Sequence, residues 1–99
     1  MAAWTYILRC SDGSYYVGCT TDIDQRLGQH MDGTFGGYTA SRRPVEMAWA
    51  EEFPDVDQAI TVERQLKGWS RAKKEALIRG DFEGLPGLSG SRFRRDQLG

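Results

Sequence analysis

Hydrophobic and polar positions divide the chain into short, differently patterned runs. Trp4 to Cys10 (WTYILRC) is rich in aromatic and β-branched residues and reads as a strand. Ser11-Asp12-Gly13-Ser14 supplies turn chemistry, with Asp-Gly a strong hairpin signal, and Tyr15 to Cys19 (YYVGC) reads as the returning strand. Thr20-Thr21-Asp22 offers helix-start residues, and Asp22 and Asp24 suit the positive end of a helix dipole. Ile23, Leu27 and Met31 then recur at i, i+4 and i+8, which predicts a buried stripe on a helix ending near Asp32-Gly33. Residues 32–44 (DGTFGGYTASRRP) hold three glycines and a proline and read as a mobile loop.

Val45, Met47, Trp49, Glu51 and Phe53 alternate with mostly polar or small partners, a third strand stopped by Pro54. Asp55 can cap a helix running to about Gly68, with Ala59, Val62, Leu66 and Trp69 inward. Ser70 can cap a further short helix, RAKKEALIR, closed by Gly80. The order is β-β-α-β-α-α. Strands joined by a hairpin imply a small three-stranded antiparallel sheet flanked by helices, an α+β fold occupying residues 1–80. Residues 81–99, rich in Gly, Ser and Arg, read as a loosely docked or disordered tail.

Composition narrows the class. Ninety-nine residues, 39% hydrophobic, suffice for one modest core. No apolar run approaches the roughly 20 residues that span a bilayer, and no basic-then-apolar leader opens the chain, so no membrane partner is expected and the location is read as cytoplasmic. Cys10 and Cys19 are too few for a disulfide framework and match no zinc spacing. In a hairpin they could face one another; in a reducing compartment they are read as free thiols.

The net charge of −1 argues against a strongly basic nucleic-acid binder, but the charge is unevenly spread. Residues 61–80 carry six bases (Arg64, Lys67, Arg71, Lys73, Lys74, Arg79) against Glu63 and Glu75, whereas residues 44–60 carry five acids and no base. Such a chain can present a basic face while remaining acidic overall, although a solvated helix surface has the same composition. Arg26 and His30 fall at i, i+4 on the first helix and project side by side near the rim of the core. A guanidinium beside the chain's single imidazole suits a phosphate clamp; an exposed arginine and an incidental histidine suit the spacing equally. Glu63 is next to an apolar stripe among bases, with Lys67 at i+4 as an ordinary salt-bridge partner. Tyr6 and Tyr16, taken singly, are strand aromatics.

Together these residues resemble the GIY-YIG nuclease family. W-T-Y at 4–6 and Y-V-G at 16–18 are similar to the paired elements that name it. Tyr6 and Tyr16 are ten apart, Arg26 follows by ten, and Glu63 lies on a helix after the third strand. His30 matches an extra histidine of several branches, and T-T-D-I-D-Q-R-L-G-Q-H resembles small stand-alone bacterial members. The likeness covers roughly residues 3–80. Departures are Trp4, Thr5 and Val17 within the motifs, Cys19 where some branches have lysine, and the lack of any asparagine, which many members place after the glutamate. Glu75 or a nearby base would have to take over that position.

The resemblance implies hydrolysis of a phosphodiester bond in DNA with one Mg²⁺ or Mn²⁺. Glu63 would hold the metal, Arg26 the scissile phosphate, Tyr6 would act as general base with Arg26, His30 or the metal assisting, and Tyr16 would orient phosphate or water. Gly18 would let the nucleic-acid backbone approach, and Lys67, Arg71, Lys73 and Lys74 would track it without sequence preference. Single-stranded, branched and damaged DNA all fit. A nucleic-acid-binding module without catalysis, and a protein-interaction scaffold using Trp69 and the Arg-rich tail, are the alternatives; any protein partner is unidentified.

The hairpin carries a register condition. A two-residue turn at Asp12-Gly13 would pair Tyr6 with Cys19 and send Tyr6 and Tyr16 to opposite faces. One shared site requires a three-residue loop or a bulge, for which Gly13 or Gly18 is available.

Overall fold

The computed structural model describes residues 1–81, so the segment read as a tail lies almost wholly outside the described residues. Strands β1 (Ala3–Arg9), β2 (Tyr15–Thr20) and β3 (Glu46–Phe53) form one antiparallel sheet in the order β2-β1-β3. Helix α1 (Ile23–Asp32) and the single turn α2 (Gly37–Ala40) separate β2 from β3; α3 (Val56–Lys67) and α4 (Arg71–Arg79) follow. The chain divides after Gly68 into two compact units, the first holding the sheet with α1 to α3 and the second beginning at Trp69 and holding α4. Among the described residues no helix is long and apolar enough to cross a membrane.

The hairpin meets its register condition. Tyr6 pairs with Gly18 and Leu8 with Tyr16, so both tyrosines share a face. The cause is a three-residue loop. Cys10 N donates to Ser14 O at 2.8 Å, Gly13 N donates to Cys10 O at 2.9 Å, and Gly13 adopts φ 84°, which a side chain would resist. Cys10 and Cys19 end on opposite faces of the sheet by the same alternation, and both are free.

Tyr6, Leu8, Cys10 and Val45 form the core of one face, with Tyr16, Met47, Ala50 and α1's Ile23 and Leu27 packed against them. Ala59, Val62 and Leu66 of α3 are fully buried on the other side, where Thr5 Oγ1 donates to Ala59 O at 2.7 Å. The α3 cap forms as the sequence predicts, Asp55 accepting from Gln58 N at 2.8 Å. A cap contributes about 1 kcal/mol, whereas burying one Val or Leu contributes roughly 1.5–3 kcal/mol. Burial therefore decides where α3 docks, and the cap decides where it starts. Ser70 caps α4 in the same way, accepting from Lys73 N.

Three readings of the pattern need correction. Met31 is 55% exposed, and the inward place goes to His30. At 3.6 residues per turn, i+7 stays within about 20° of the starting direction while i+8 drifts by about 80°. Secondly, the 45–53 alternation does not mark one face. A register shift between Ile7 and Leu8 leaves Met47 opposite Leu8 but Trp49 opposite Ile7, so the bulge sends the two halves of β3 to different faces. Thirdly, the segment read as a mobile loop is folded: it contains α2, buries Thr39, and is tied to the hairpin by Ser11 N donating to Arg42 O at 2.9 Å.

Candidate active site

Tyr6 issues from the central strand, and its ring lies across Gly18 of the edge strand. A Cβ at position 18 would stand 2.4 Å from Tyr6 Oη and 2.5 Å from its Cζ. The missing side chain lets the phenol cross β2 and reach α1, where Oη is 2.8 Å from His30 Nε2. The opposite ring nitrogen, Nδ1, is 2.7 Å from Thr39 Oγ1 on α2. Tyr6, His30 and Thr39 are all buried. A continuous hydrogen-bonded chain thus joins β1, α1 and α2.

Arg26 is one helical turn before His30. Its guanidinium acts through its charge on the Tyr6 hydroxyl, makes a long 3.4 Å contact to the Cys19 carbonyl, and lies 4.7 Å over the Phe35 ring. Phe35 in turn packs on His30 with centroids 4.3 Å apart. Tyr16 completes the wall, 6.4 Å from Tyr6 and 5.2 Å from His30, and Tyr38 stacks on it at 6.1 Å. Arg42 covers Tyr38 at 3.8 Å and donates to Asp12 Oδ2 at 3.1 Å, holding the aromatic segment to the hairpin turn.

Burial governs the electrostatics. Loss of water pushes the Tyr6 phenol up to about 12, with Tyr16 and Glu63 adding to the rise and Arg26 opposing it. Burial, with the nearby Arg26 charge, pushes His30 down to about 4. At neutral pH the phenol is protonated and the imidazole neutral. Glu63 reaches this region from α3: besides acting on Tyr6, it raises the Cys19 thiol, second to burial. Its side chain is 20% exposed and pairs with Lys67 Nζ at 3.2 Å.

Among the described residues no group of three or more His, Cys, Asp or Glu could cage a metal. Glu63 offers one hard carboxylate. That donor set is wrong for a protein-enclosed zinc and suits Mg²⁺, which dehydrates reluctantly and takes much of its shell from water and substrate phosphate.

The fold therefore assembles Tyr6, Tyr16, Arg26 and His30, with Glu63 within electrostatic reach. His30 is not at the rim of the core but sealed within it. Gly18 is buried, and the space it frees is taken by Tyr6 rather than by a nucleic-acid backbone. Lys67 is paired with Glu63. Arg71, Lys73 and Lys74 belong to the second unit, where Arg71 pairs with Glu75 at 3.2 Å and Lys73 Nζ lies 6.0 Å from the Trp69 ring centre. Sequence reasoning passed over Thr39, Phe35 and Tyr38. Aromatic residues spaced through a glycine-rich segment were the available signal.

Residues 2–76 match the family model described as the GIY-YIG catalytic domain. The chain is 39% identical over 92 residues to the UPF0213 protein BH0048 of Halalkalibacterium halodurans, covering 90% of this chain and 98% of that protein. The solution NMR structure of BH0048 superposes with a TM-score of 0.54. The UPF0213 protein VNG_2274C of Halobacterium salinarum is 43% identical over 73 residues, 74% of this chain and 95% of that one. The solution NMR structure of the protein EF2693 from E. faecalis matches with a TM-score of 0.57 at 38% identity, covering 81% of this chain and 85% of that one.

Proposed function

The chain belongs to the GIY-YIG catalytic-domain family, and from that premise we propose that it is a metal-dependent endonuclease hydrolysing phosphodiester bonds in DNA. The observation that carries the reading is the 2.8 Å contact of Tyr6 Oη with His30 Nε2 beside the Arg26 guanidinium.

A phenol held at about 12 does not ionise at neutral pH, so Tyr6 cannot act as a preformed phenolate. It can act as a relay. The oxygen of Tyr6 takes a proton from the attacking water while its own proton passes to Nε2 of His30. The phenol stays neutral throughout, and His30 becomes an imidazolium. In the resting site that imidazolium is opposed by burial and by Arg26. When Arg26 bonds the scissile phosphate, its charge is engaged by the substrate anion and the opposition falls. Substrate binding and base activation are coupled through one side chain.

The same movement opens the site. Tyr6 and His30 have no exposed surface, and Arg26 and Phe35 lie against them. Arg26 is held by a 3.4 Å contact and an aromatic face, worth about 0.5–1 kcal/mol where partly exposed. A charge-assisted, two-pronged bond to phosphate is stronger. Phosphate therefore draws Arg26 outward and uncovers the Tyr6 hydroxyl. Tyr16 orients the phosphate or water, and Lys67, Arg71, Lys73 and Lys74 supply salt-sensitive affinity for the backbone. Glu63 would hold the divalent ion, which when bound neutralises charge on the phosphate.

Two observations favour a second reading, a binding module without turnover: the proposed base is wholly enclosed and the chain has no asparagine to support the metal region. Cleavage of labelled single-stranded, duplex and branched DNA with Mg²⁺ or Mn²⁺ separates the two. Cutting by wild type that vanishes with chelator and in Glu63→Ala supports the enzyme. Salt-dependent binding by both proteins with no cutting by either supports the module.

A further inference from the structure

The buried chain Tyr6–His30–Thr39 has a direction, and the direction is set by its neighbours. His30 is a neutral imidazole with one ring proton, and both ring nitrogens have a hydroxyl within bonding distance, Tyr6 Oη at 2.8 Å and Thr39 Oγ1 at 2.7 Å. Two arrangements are open. With the proton on Nε2, His30 donates to Tyr6, and the phenol proton must point elsewhere. With the proton on Nδ1, His30 donates to Thr39, and Nε2 accepts from Tyr6.

Arg26 decides between them. A guanidinium has five donors and no acceptor, and the positive charge of this one acts on the Tyr6 hydroxyl. If Nε2–H donated to the Tyr6 oxygen, the phenol proton would have to turn away from His30 toward that positive charge in a pocket without exposed surface. If the Tyr6 proton points to Nε2, every contact pairs a donor with an acceptor. The Nδ1 proton must then be received by Thr39. The backbone that carries its hydroxyl is held in place: Arg42 N donates to the Thr39 main-chain O at 3.0 Å, and the Arg42 side chain donates to Tyr38 O at 2.9 Å and to Asp12 at 3.1 Å. The hairpin turn thus anchors the acceptor.

We propose that Thr39 is a positioning residue that holds His30 in its Nδ1-protonated form, leaving Nε2 free to receive the proton of Tyr6. This rests on the relay reading above, but its test does not depend on DNA cleavage. Free histidine favours the opposite tautomer, so losing the acceptor at Thr39 removes the bond that retains the proton on Nδ1 and leaves Arg26 alone to oppose the exchange.

The experiment is ¹⁵N NMR of the His30 ring at neutral pH in wild type, Thr39→Ser and Thr39→Val. Wild type and Thr39→Ser are expected to show a protonated, pyrrole-type Nδ1 and a bare, pyridine-type Nε2. Thr39→Val, nearly isosteric and without an acceptor, is expected to exchange them or to mix both forms. A pyrrole-type Nε2 in wild type, or an unchanged ring in Thr39→Val, overturns the proposal. Thr39→Ser keeps it testable should valine unfold the chain. In cleavage, kcat of Thr39→Val should fall about 10- to 100-fold with KM unchanged, a part of the roughly 10²–10⁴ that general-base catalysis supplies, and serine should restore it. The expected tautomer in a wild type that cuts no DNA would overturn the nuclease reading alone.

Discussion

Gly18→Ala adds one methyl group at the place where the fold has least room for it. The new Cβ would lie 2.4 Å from Tyr6 Oη and 2.5 Å from Cζ, about 1 Å inside ordinary contact at 3.4 Å. Tyr6 is fully buried on the central strand, with its hydroxyl fixed to His30, so the ring has no free direction in which to yield. Overpacking of this kind costs about 1–3 kcal/mol. In a chain this size that lowers Tm by roughly 5–20 °C, at about 4–8 °C per kcal/mol. The displaced hydroxyl should also cost cleavage about 10²-fold, the usual penalty for a 1 Å error in a reacting group. Gly28→Ala is the internal control. It makes the same substitution on α1, where an added Cβ meets nothing within 4 Å. Removing a helix-interior glycine should stabilise by about 0.5–1 kcal/mol. Thermal melts of both variants, followed by single-turnover cleavage, read the two effects. Equal Tm shifts of the same sign, or a Gly18→Ala enzyme of normal rate, would refute the claim that this glycine exists to pass the Tyr6 phenol.

His30 titrates near 6.5 when unfolded and at about 4 in the folded chain, so the unfolded state binds more protons between those values. Its contribution, at most about 3 kcal/mol, is fully present above pH 6.5 and is lost as pH falls toward 4; urea melts at several pH values should give a steeper acid loss for wild type than for His30→Gln, and equal slopes would contradict this. Phe35→Ala should let water reach the imidazole and raise its NMR titration midpoint from about 4 toward 6.5; an unmoved midpoint would mean that Phe35 is not the cover. Asp55→Ala should remove the α3 cap at a cost of about 1 kcal/mol, measured as a fall in Tm with cleavage per folded molecule unchanged.

How much of this was legible in the sequence depended on range. Local signals held: the Asp22, Asp55 and Ser70 caps and the Gly33 and Gly80 ends all form where turn and capping chemistry places them. The ten-residue spacing of Tyr6 and Tyr16 even required an irregular hairpin, and the Ser11–Gly13 loop provides it. Non-local facts were not legible. The bulge opposite Ile7/Leu8 depends on how β3 meets β1, and no pattern within 45–53 encodes it. Gly18 read as an approach for a ligand because nothing in Y-V-G reveals that a tyrosine twelve residues earlier crosses it. The 32–44 segment looked like loop from its glycines, yet its Phe35 and Thr39 close over His30 and its Tyr38 stacks on Tyr16, a consequence of tertiary packing alone.

Tyr6→Phe removes one hydroxyl and leaves the ring that fills the core. Single-turnover cleavage of DNA with Mg²⁺, beside a binding measurement on the same substrate, therefore isolates the proton relay. If Tyr6 and His30 activate the attacking water, the variant binds normally and cuts roughly 10²–10⁴-fold more slowly. A Tyr6→Phe protein that cuts at the wild-type rate would show that the base lies elsewhere, and the mechanism built on the 2.8 Å contact would be wrong.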